Sequence, residues 1–473
     1  MHRICLGFVA CYLVLNGSIG KACLKAVCQL FPNLTRQPLS QESFLYELDE
    51  RPPFVKSLIY GLQWVMIAIP NVVVFSTLCG AALRLDPATQ ISFSQRLLIA
   101  TGVMNVLQSL RGHRYPVLEG PSSALLVSFI VLAPYGVSAI EGGVIIGGLL
   151  LIAVAKFRWF KWLSPFFTPN VVGIILMLVA LTLLPFFYPM LIGLDKLHPY
   201  GDLGVSGISL MIMLFVALLS HWVGGFFQTV SMLAGIVLGL IIFLFRGGIS
   251  WAVVAESKWL AMPSPFWGDW PTFSLSSILS IVLTYLAVMV NSVGSIQGIS
   301  EIVGKEGLDN RIHRGIGMSG AGGLVTAAMG VVGLVSFSTS PGVVLVSRVA
   351  SRYVLTASGA IMIAIGFLPK LWAVLAVIPP SVTAAVLFVA LSSQLMAGVS
   401  VMMSGKKKIE RREYFSVGMP LMVGTLVSLL PKPFFHFFPA AIASLVSNGL
   451  VMGILFSLFS EHLLFRPREA GRP

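Results

Sequence analysis

The chain has 473 residues, of which 56% are hydrophobic and only 10% are charged, with 31 Lys and Arg against 18 Asp and Glu. About a quarter of the residues in a soluble domain are charged, so this composition excludes a soluble enzyme, a nucleic-acid-binding protein and a large domain outside the membrane. At roughly 20 residues per spanning helix, the apolar stretches between Leu58 and Leu464 hold about fourteen spans of an all-α polytopic membrane protein.

Residues 1–54 precede the first long apolar stretch and form a predicted cytoplasmic amino-terminal segment. Four of the five cysteines lie in it, and their spacing gives neither a disulfide framework nor a CxxC metal pair, so we expect no metal and no cofactor. Its apolar run from Ile4 to Leu15 has a weak likeness to a signal sequence. The sequence thus divides into this segment, a membrane domain at 55–462 and a cytoplasmic tail at 463–473.

The membrane domain contains two sets of seven apolar stretches. The first set lies near 56–80, 93–110, 121–135, 139–157, 167–188, 204–224 and 228–246. The second set lies near 274–298, 313–333, 337–347, 354–369, 373–402, 413–430 and 439–460. Because seven is odd, the second set crosses the membrane in the opposite orientation, which predicts a 7+7 inverted repeat.

Basic residues follow every second predicted span. The amino-terminal segment, Lys56 just after it and the clusters together hold 24 of the 31, with the clusters at 111–114, 156–161, 305–314, 348–352, 406–412 and 466–472. Membrane proteins concentrate Lys and Arg in cytoplasmic loops, so this pattern predicts that both termini are cytoplasmic and that the number of spans is even. The formal net charge of +13 is therefore an orientation signal and does not indicate nucleic-acid binding.

Spans 3 and 10, which hold equivalent places in the two sets, open with residues that cannot sustain a membrane helix. The first contains Glu119-Gly-Pro-Ser-Ser123, and the second contains Ser336-Phe-Ser-Thr-Ser-Pro-Gly342. Each is predicted to be a short extended segment followed by a half-helix. Paired broken spans are typical of a transporter's binding site. The alternative is two ordinary proline kinks.

Several motifs, in this order, carry a resemblance to a known family. They are Asp49-Glu-Arg-Pro-Pro53 before Gly61-Leu-Gln63, the run from Gln108 to Gly120, Ser164 to Gly173, Asn291-Ser-Val-Gly-Ser295, and Ser447 to Gly453. Over residues 45–462 the chain resembles the nucleobase-cation symporters, also called nucleobase-ascorbate transporters, which include uracil and xanthine permeases. The resemblance implies a core domain of spans 1–4 and 8–11, a gate domain of spans 5–7 and 12–14, and a homodimer.

In such permeases the substrate lies between the extended segments of spans 3 and 10 and beside span 8. The resemblance implies that the substrate-binding residues here are Asn291, Ser295, Ser122, Ser123, Ser338 and Thr339, the two serines of span 3 through nearby backbone groups. Asn291 and Thr339 stand where family members carry acids. A neutral amide can pair with the edge of a nucleobase, but it cannot carry a proton.

The missing acids direct attention to the remaining carboxylates. Sixteen of the 18 fall in termini, loops or helix ends, and Glu141 opens span 4 as an expected solvated helix-start residue. Glu119 lies inside the broken third span. We hypothesise that it replaces the missing acid as proton carrier or substrate ligand, since ionisable groups at membrane depth are commonly functional. A salt bridge with Arg111 or Arg114 is the alternative.

Three functions remain open at this point. The first is a secondary active transporter of a bacterial-type inner membrane that imports a uracil- or purine-type nucleobase, with a proton as coupling ion. The second is an anion transporter of the same fold. The third is a membrane sensor or accessory protein that does not transport. The sequence chooses neither the base nor the coupling ion.

Overall fold

The computed structural model describes residues 44–194, 197–223, 230–246, 251–264, 270–404 and 411–465. Most of the predicted amino-terminal segment (1–43) and most of the tail (466–473) therefore lie outside the described residues. From Tyr46 onward the described chain forms one compact unit.

The unit is built from helices and two short strands. In chain order they are α1 (Phe54–Leu83), α2 (Pro87–Leu110), β1 (Glu119–Pro121), α3 (Ser123–Leu132), α4 (Val137–Lys156), α5 (Phe160–Leu163), α6 (Pro169–Leu191), α7 (Leu203–Trp222), α8 (Ser231–Arg246), α9 (Ala252–Glu256), α10 (Leu275–Val303), α11 (Leu308–Ala328), β2 (Leu334–Ser336), α12 (Ser340–Ser347), α13 (Arg352–Gly366), α14 (Pro369–Ala376), α15 (Pro380–Met402), α16 (Arg411–Leu429), α17 (Ala440–Val446) and α18 (Gly449–Phe459). Short 3₁₀ turns cover Ala133–Tyr135, Ser164–Phe166 and Lys432–Phe437, and a π-helical turn covers Ser460–Leu464.

Six of the described helices are long and apolar enough to cross a membrane, namely α1, α4, α6, α7, α10 and α15. Helices α13 and α14 together would supply a seventh span, although their axes differ by 82°. Shorter apolar helices occur at Ser123–Tyr135, Ser231–Arg246 and Gly449–Leu464. The chain is therefore a mostly helical, multi-pass membrane protein.

The largest difference from the predicted spans lies near Pro379 and Pro380. The sequence predicts one span over 373–402, but α14 ends at Ala376 and α15 begins at Pro380. Proline has no backbone N–H and clashes with the preceding turn, so it is accommodated at the start of a helix and not in its interior. The stretch before Ala376 belongs instead to the bent pair of α13 and α14.

Helix α2 begins earlier than predicted, at Pro87. The side chain of Asp86 caps it by accepting a hydrogen bond from the Thr89 N–H at 3.1 Å. Within this helix the side chain of Arg96 is buried.

Strands β1 and β2 pair antiparallel, with Glu119 opposite Ser336 and Pro121 opposite Leu334. All six residues are buried. Two flanking hydrogen bonds extend the pairing, from the Phe337 N–H to the Leu118 carbonyl at 2.8 Å and from the Ser122 N–H to the Gly333 carbonyl at 2.9 Å. Because the strands are antiparallel and each is followed within a few residues by a helix, α3 and α12 begin at opposite ends of this sheet.

Among the described residues, four helix pairs approach closely at matched glycines. A Cβ atom on one glycine of each pair would lie 2.3–2.7 Å from the carbonyl oxygen of the other, in Gly102–Gly359 between α2 and α13, Gly148–Gly320 between α4 and α11, Gly173–Gly398 between α6 and α15, and Gly424–Gly449 between α16 and α18. No real side chain fits at such distances, so glycine is required for these backbones to touch.

The chain just before α1 is tied to the chain just after α12. Tyr46 forms a parallel bridge with Val349, and Arg352 donates to the Asp49 carboxylate at 2.6 Å. The hydroxyl of Ser351 donates to the carbonyl of Glu50. These contacts fix the carboxyl end of the short helix α12.

Candidate site at the strand crossing

The backbone of Glu119 is held by one side chain from α2. Oδ1 of Asn105 accepts a hydrogen bond from the Glu119 N–H at 3.0 Å, and Nδ2 of the same amide donates to the Glu119 carbonyl at 3.0 Å. The amide thus pairs with the edge of β1 that faces away from β2. Because Asn105 is only 1% exposed, β1 has a fixed position against α2.

The Glu119 carboxylate lies in a closed polar pocket between β2 and the segment that follows α2. The Ser336 hydroxyl donates to Oε1 of Glu119 at 2.5 Å, and Nε2 of His113 lies 3.6 Å from the same oxygen. Glu119 is 1% exposed, and both Ser336 and His113 are 0% exposed. A charged or polar group in such a site depends on these few partners.

The hydrogen bonds of His113 determine which ring nitrogen carries the proton. Nδ1 accepts a hydrogen bond from the Tyr115 N–H at 3.0 Å, so it has no proton of its own. The neutral ring therefore carries its proton on Nε2, which faces Glu119 and has no hydrogen-bond partner within bonding distance among the described residues. The carboxylate consequently receives one hydroxyl donor and faces one N–H donor.

The alternative for Glu119, a salt bridge with Arg111 or Arg114, is wrong. Among the described residues its close charged or ionisable partner is His113, and Arg111 and Arg114 are exposed. The sequence motif contains His113, but its contact with Glu119 could not be inferred from the sequence. The other partner of Glu119, Ser336, lies 217 positions from it along the chain.

The stretch predicted as span 8 corresponds to helix α10, and its two predicted site residues have different surroundings. The Ser295 hydroxyl is buried and lies 2.9 Å from both the Ser336 carbonyl and the Asn291 carbonyl, so it links β2 to α10. The Asn291 side chain is half-buried, and no hydrogen-bond partner for its amide occurs among the described residues. Its donors and acceptor are available to a ligand.

The loop after β2 is open. Ser338 and Thr339 are exposed, and neither hydroxyl has a hydrogen-bond partner among the described residues. A Cβ atom built on Gly294 of α10 or on Gly342 of α12 would meet nothing within 4 Å. The face of α10 that carries Asn291 therefore has free space beside it, and so does the start of α12.

The loop after β1 is closed by comparison. The Ser122 hydroxyl accepts from the Leu125 N–H at 3.3 Å and caps α3, and Ser122 is 1% exposed. Ser123 is half-buried at the first position of that helix, where backbone N–H groups lack partners within the helix. A Cβ atom on Gly120 would lie 2.3 Å from the Phe337 ring, so this part of β1 is fully packed.

A second buried polar cluster joins three helices near the break between α17 and α18. Nδ2 of Asn448 donates to the hydroxyls of Ser128 at 2.8 Å and Ser280 at 3.0 Å, and Ser128 lies 2.6 Å from the Thr284 hydroxyl. The four side chains are fully buried and none of them is titratable. They connect α18 to α3 and α10 without any charge.

Glu141 is not the solvated helix-start residue that the sequence predicts. It is the fifth residue of α4 and is only 8% exposed, and the buried guanidinium of Arg96 on α2 attracts its charge. A nearby cation of this kind lowers the free-energy cost of burying a carboxylate.

Residues 55–433 match a protein-family model described as a permease family. The chain belongs to this family. As a divergent member it matches curated uracil, xanthine and uric acid permeases at 22–28% identity, which confirms the resemblance to uracil and xanthine permeases. The family consists of permeases and not of enzymes.

Two curated relatives span nearly the same length as this chain. A nucleobase transporter, PlUacP, of Paenibacillus larvae is 28% identical over 415 residues, which cover 86% of this chain and 94% of the relative. A uric acid permease, PucJ, of Bacillus subtilis is 26% identical over 420 residues, which cover 86% of this chain and 92% of the relative.

Among solved structures, the murine Solute Carrier 26 family member A9 anion transporter in its inward-facing state is similar in fold. The TM-score is 0.60 at 12% sequence identity, and the match covers 92% of this chain and 74% of that one. Identity this low establishes a shared transporter fold and nothing about the substrate.

Proposed function

We propose that this protein is a secondary active permease that imports a nucleobase of the uracil or purine type together with a proton. The observation that carries the proposal is the crossing of β1 and β2, where the buried Glu119 is linked through Ser336 and Ser295 to α10, and where open polar groups on α10 and in the loop after β2 have no hydrogen-bond partner among the described residues. The relatives, a nucleobase transporter and a uric acid permease, support the same substrate class.

The proposed architecture has fourteen spans in a 7+7 inverted repeat, with both termini cytoplasmic. In it, spans 3 and 10 are β1 with α3 and β2 with α12. The glycine contacts support this repeat. In a 7+7 repeat, span 2 corresponds to span 9 and span 11 corresponds to span 4. Spans 2 and 11 touch at Gly102–Gly359, and the corresponding spans 9 and 4 touch at Gly148–Gly320.

The proposed core domain of spans 1–4 and 8–11 moves against a gate domain of spans 5–7 and 12–14. The helix contacts support this division, because α1, α2, α4, α10, α11 and α13 pack among themselves, and α6, α7, α8, α15, α16 and α18 do likewise. Asn448 on α18 reaches across to Ser128 and Ser280 of the core. In an alternating-access cycle these hydrogen bonds must break and re-form.

A short chain of contacts links the proposed proton site to the proposed substrate site. The Ser336 hydroxyl binds Glu119, the Ser336 carbonyl lies at hydrogen-bond distance from the Ser295 hydroxyl, and that hydroxyl also reaches the Asn291 carbonyl. Protonation of Glu119 removes the charge that the Ser336 hydroxyl donates to, which loosens β2. Proton binding would thereby change the position of the groups that hold the base.

The test is uptake by the purified protein in liposomes with labelled uracil, xanthine, uric acid and sulfate, under an inward proton gradient. We expect accumulation of at least one base, collapse of that accumulation when a protonophore removes the gradient, and no sulfate uptake. Sulfate uptake without base uptake would identify an anion transporter of this fold. A failure to transport any of the four would favour the sensor or accessory role.

A further inference from the structure

A groove lies away from the strand crossing, at the end of the molecule where α4 ends and α11 begins. Its volume is about 550 Å³, within the range of small-ligand sites. One half is lined by charged residues near the helix ends and the other half by apolar residues further along the two helices. The groove belongs to none of the contacts described for Glu119, Asn291 or Asn448.

The charged half carries the basic side chains of Arg111, Lys156, Arg158 and Arg314, all exposed, and its lining contains no acidic residue. The carboxylate of Asp309, on the same helix as Arg314, lies 3.8 Å from Arg158 and 3.5 Å from Lys161, so its charge is already balanced. The groove therefore presents a surplus of positive charge. The concentration of Lys and Arg in cytoplasmic loops accounts for basic residues at this end of the molecule, but it does not account for a groove between them.

A buried histidine at the groove supplies an independent indication of a ligand. The His313 side chain is 7% exposed, and neither ring nitrogen has a hydrogen-bond partner among the described residues. Oδ1 of Asp309 lies 3.6 Å from Nε2, which is beyond hydrogen-bond distance. A buried polar group without a partner is costly, so a ligand that accepts a hydrogen bond here would be stabilised.

The apolar half extends along the helices into the membrane. It is lined by half-buried Ile152 of α4 with Met318 and Ala321 of α11. Ala321 follows Arg314 by seven residues, which corresponds to about 10 Å along the helix axis. An apolar surface of this length can contact the upper part of an acyl chain, whereas a free phosphate ion would make no favourable contact with it.

We propose that this groove binds an anionic phospholipid. The lipid phosphate contacts the basic rim and the His313 ring, and one acyl chain lies along Ile152, Met318 and Ala321. Basic pockets between membrane helices bind lipid headgroups in this way. Because the groove joins α4 and α11, a bound lipid stabilises the pair that already touches at Gly148 and Gly320.

The experiment measures the thermal unfolding midpoint and native mass spectrum of the purified full-length protein in detergent. The probes are dioleoylphosphatidylglycerol, dioleoylphosphatidylcholine, dihexanoylphosphatidylglycerol and inorganic phosphate. We expect only the long-chain anionic lipid to raise the midpoint at low concentration and to remain bound in the gas phase. Its apparent affinity should fall about thirtyfold in Arg111→Gln/Arg314→Gln, since each cation near the headgroup contributes.

The matched control is Lys56→Gln/Lys305→Gln, which removes two exposed cations at the same end of the molecule but outside the groove. It should bind the lipid as the unmodified protein does. His313→Phe, which keeps the ring but removes both nitrogens, should also weaken binding. Equal effects of inorganic phosphate and of the lipid would reveal a free-anion site instead. Equal effects of the two long-chain lipids, or of the two double variants, would overturn the proposal.

Discussion

The two halves of the strand crossing have similar sequences and different surroundings. Each half contains a short buried strand, a serine-rich turn and a short helix, yet the turn of the β1 half is closed and the turn of the β2 half is open. Ser122 caps α3 and Glu119 is enclosed, whereas Ser338 and Thr339 are exposed without partners among the described residues. From this difference we infer that the two halves have different roles. The β1 half carries the proton, and the β2 half binds the substrate together with α10.

Equivalent glycine substitutions in the two halves should have opposite effects. Gly342→Leu places a side chain in the open space beside α12, so we expect base uptake to fall more than about a hundredfold while the protein remains folded, since leucine favours a helix. Gly120→Leu should instead prevent folding, because the Phe337 ring occupies that space. Uptake in liposomes and the yield of monodisperse protein measure the two outcomes.

Gly207→Leu on α7 is the control, because a Cβ atom there also meets nothing within 4 Å. It should transport normally. Normal uptake by Gly342→Leu would show that the β2 half does not contact the substrate.

Replacement of His113 by Phe tests whether the β1 half depends on its ring nitrogens. The variant leaves the Tyr115 N–H without its acceptor and Glu119 without the facing N–H donor, and each buried unpaired group costs about 1–3 kcal/mol. We expect a lower unfolding midpoint and about tenfold slower proton-driven uptake. If the pH dependence of uptake is unchanged in this variant, His113 has a packing role alone.

Two hydroxyl substitutions should separate stability from substrate affinity. Thr339→Val in the open half should raise KM about twofold to tenfold, the value of one hydrogen bond, and leave the unfolding midpoint unchanged. Ser122→Ala in the closed half should reduce stability by about 1 kcal/mol, because it removes a helix cap, with KM unchanged. The KM for the base and the unfolding midpoint are measured for both variants. A raised KM in Ser122→Ala together with a lowered midpoint in Thr339→Val would reverse the assignment of the open and closed halves.

The sequence predicts a mostly helical, multi-pass membrane protein correctly, because hydropathy records the apolar helices directly. Proline and glycine likewise mark the positions of β1 and β2 to within a few residues. The predictions fail where tertiary contacts decide the outcome. Glu141 is predicted to be solvated because of its charge, but it is buried, and the buried guanidinium of Arg96 attracts that charge.

The partners of Glu119 could not be predicted for the same reason. Asn105, His113 and Ser336 meet the carboxylate or its backbone only after α2, β1 and β2 have packed. Ser122 and Ser295 have the residue types expected for substrate binding, yet their hydroxyls serve the strands and helix ends. Composition cannot distinguish a hydroxyl that caps a helix from one that is free for a ligand.

The most direct test of the account compares two assays of Glu119→Gln in liposomes. Counterflow, the exchange of labelled base for unlabelled base, requires no net proton movement, whereas accumulation under a proton gradient does. We expect Glu119→Gln to retain counterflow and lose accumulation, and Glu141→Gln, which changes a buried carboxyl outside the crossing, to retain both. Full proton-driven accumulation by Glu119→Gln would contradict the proposed role of Glu119 as proton carrier.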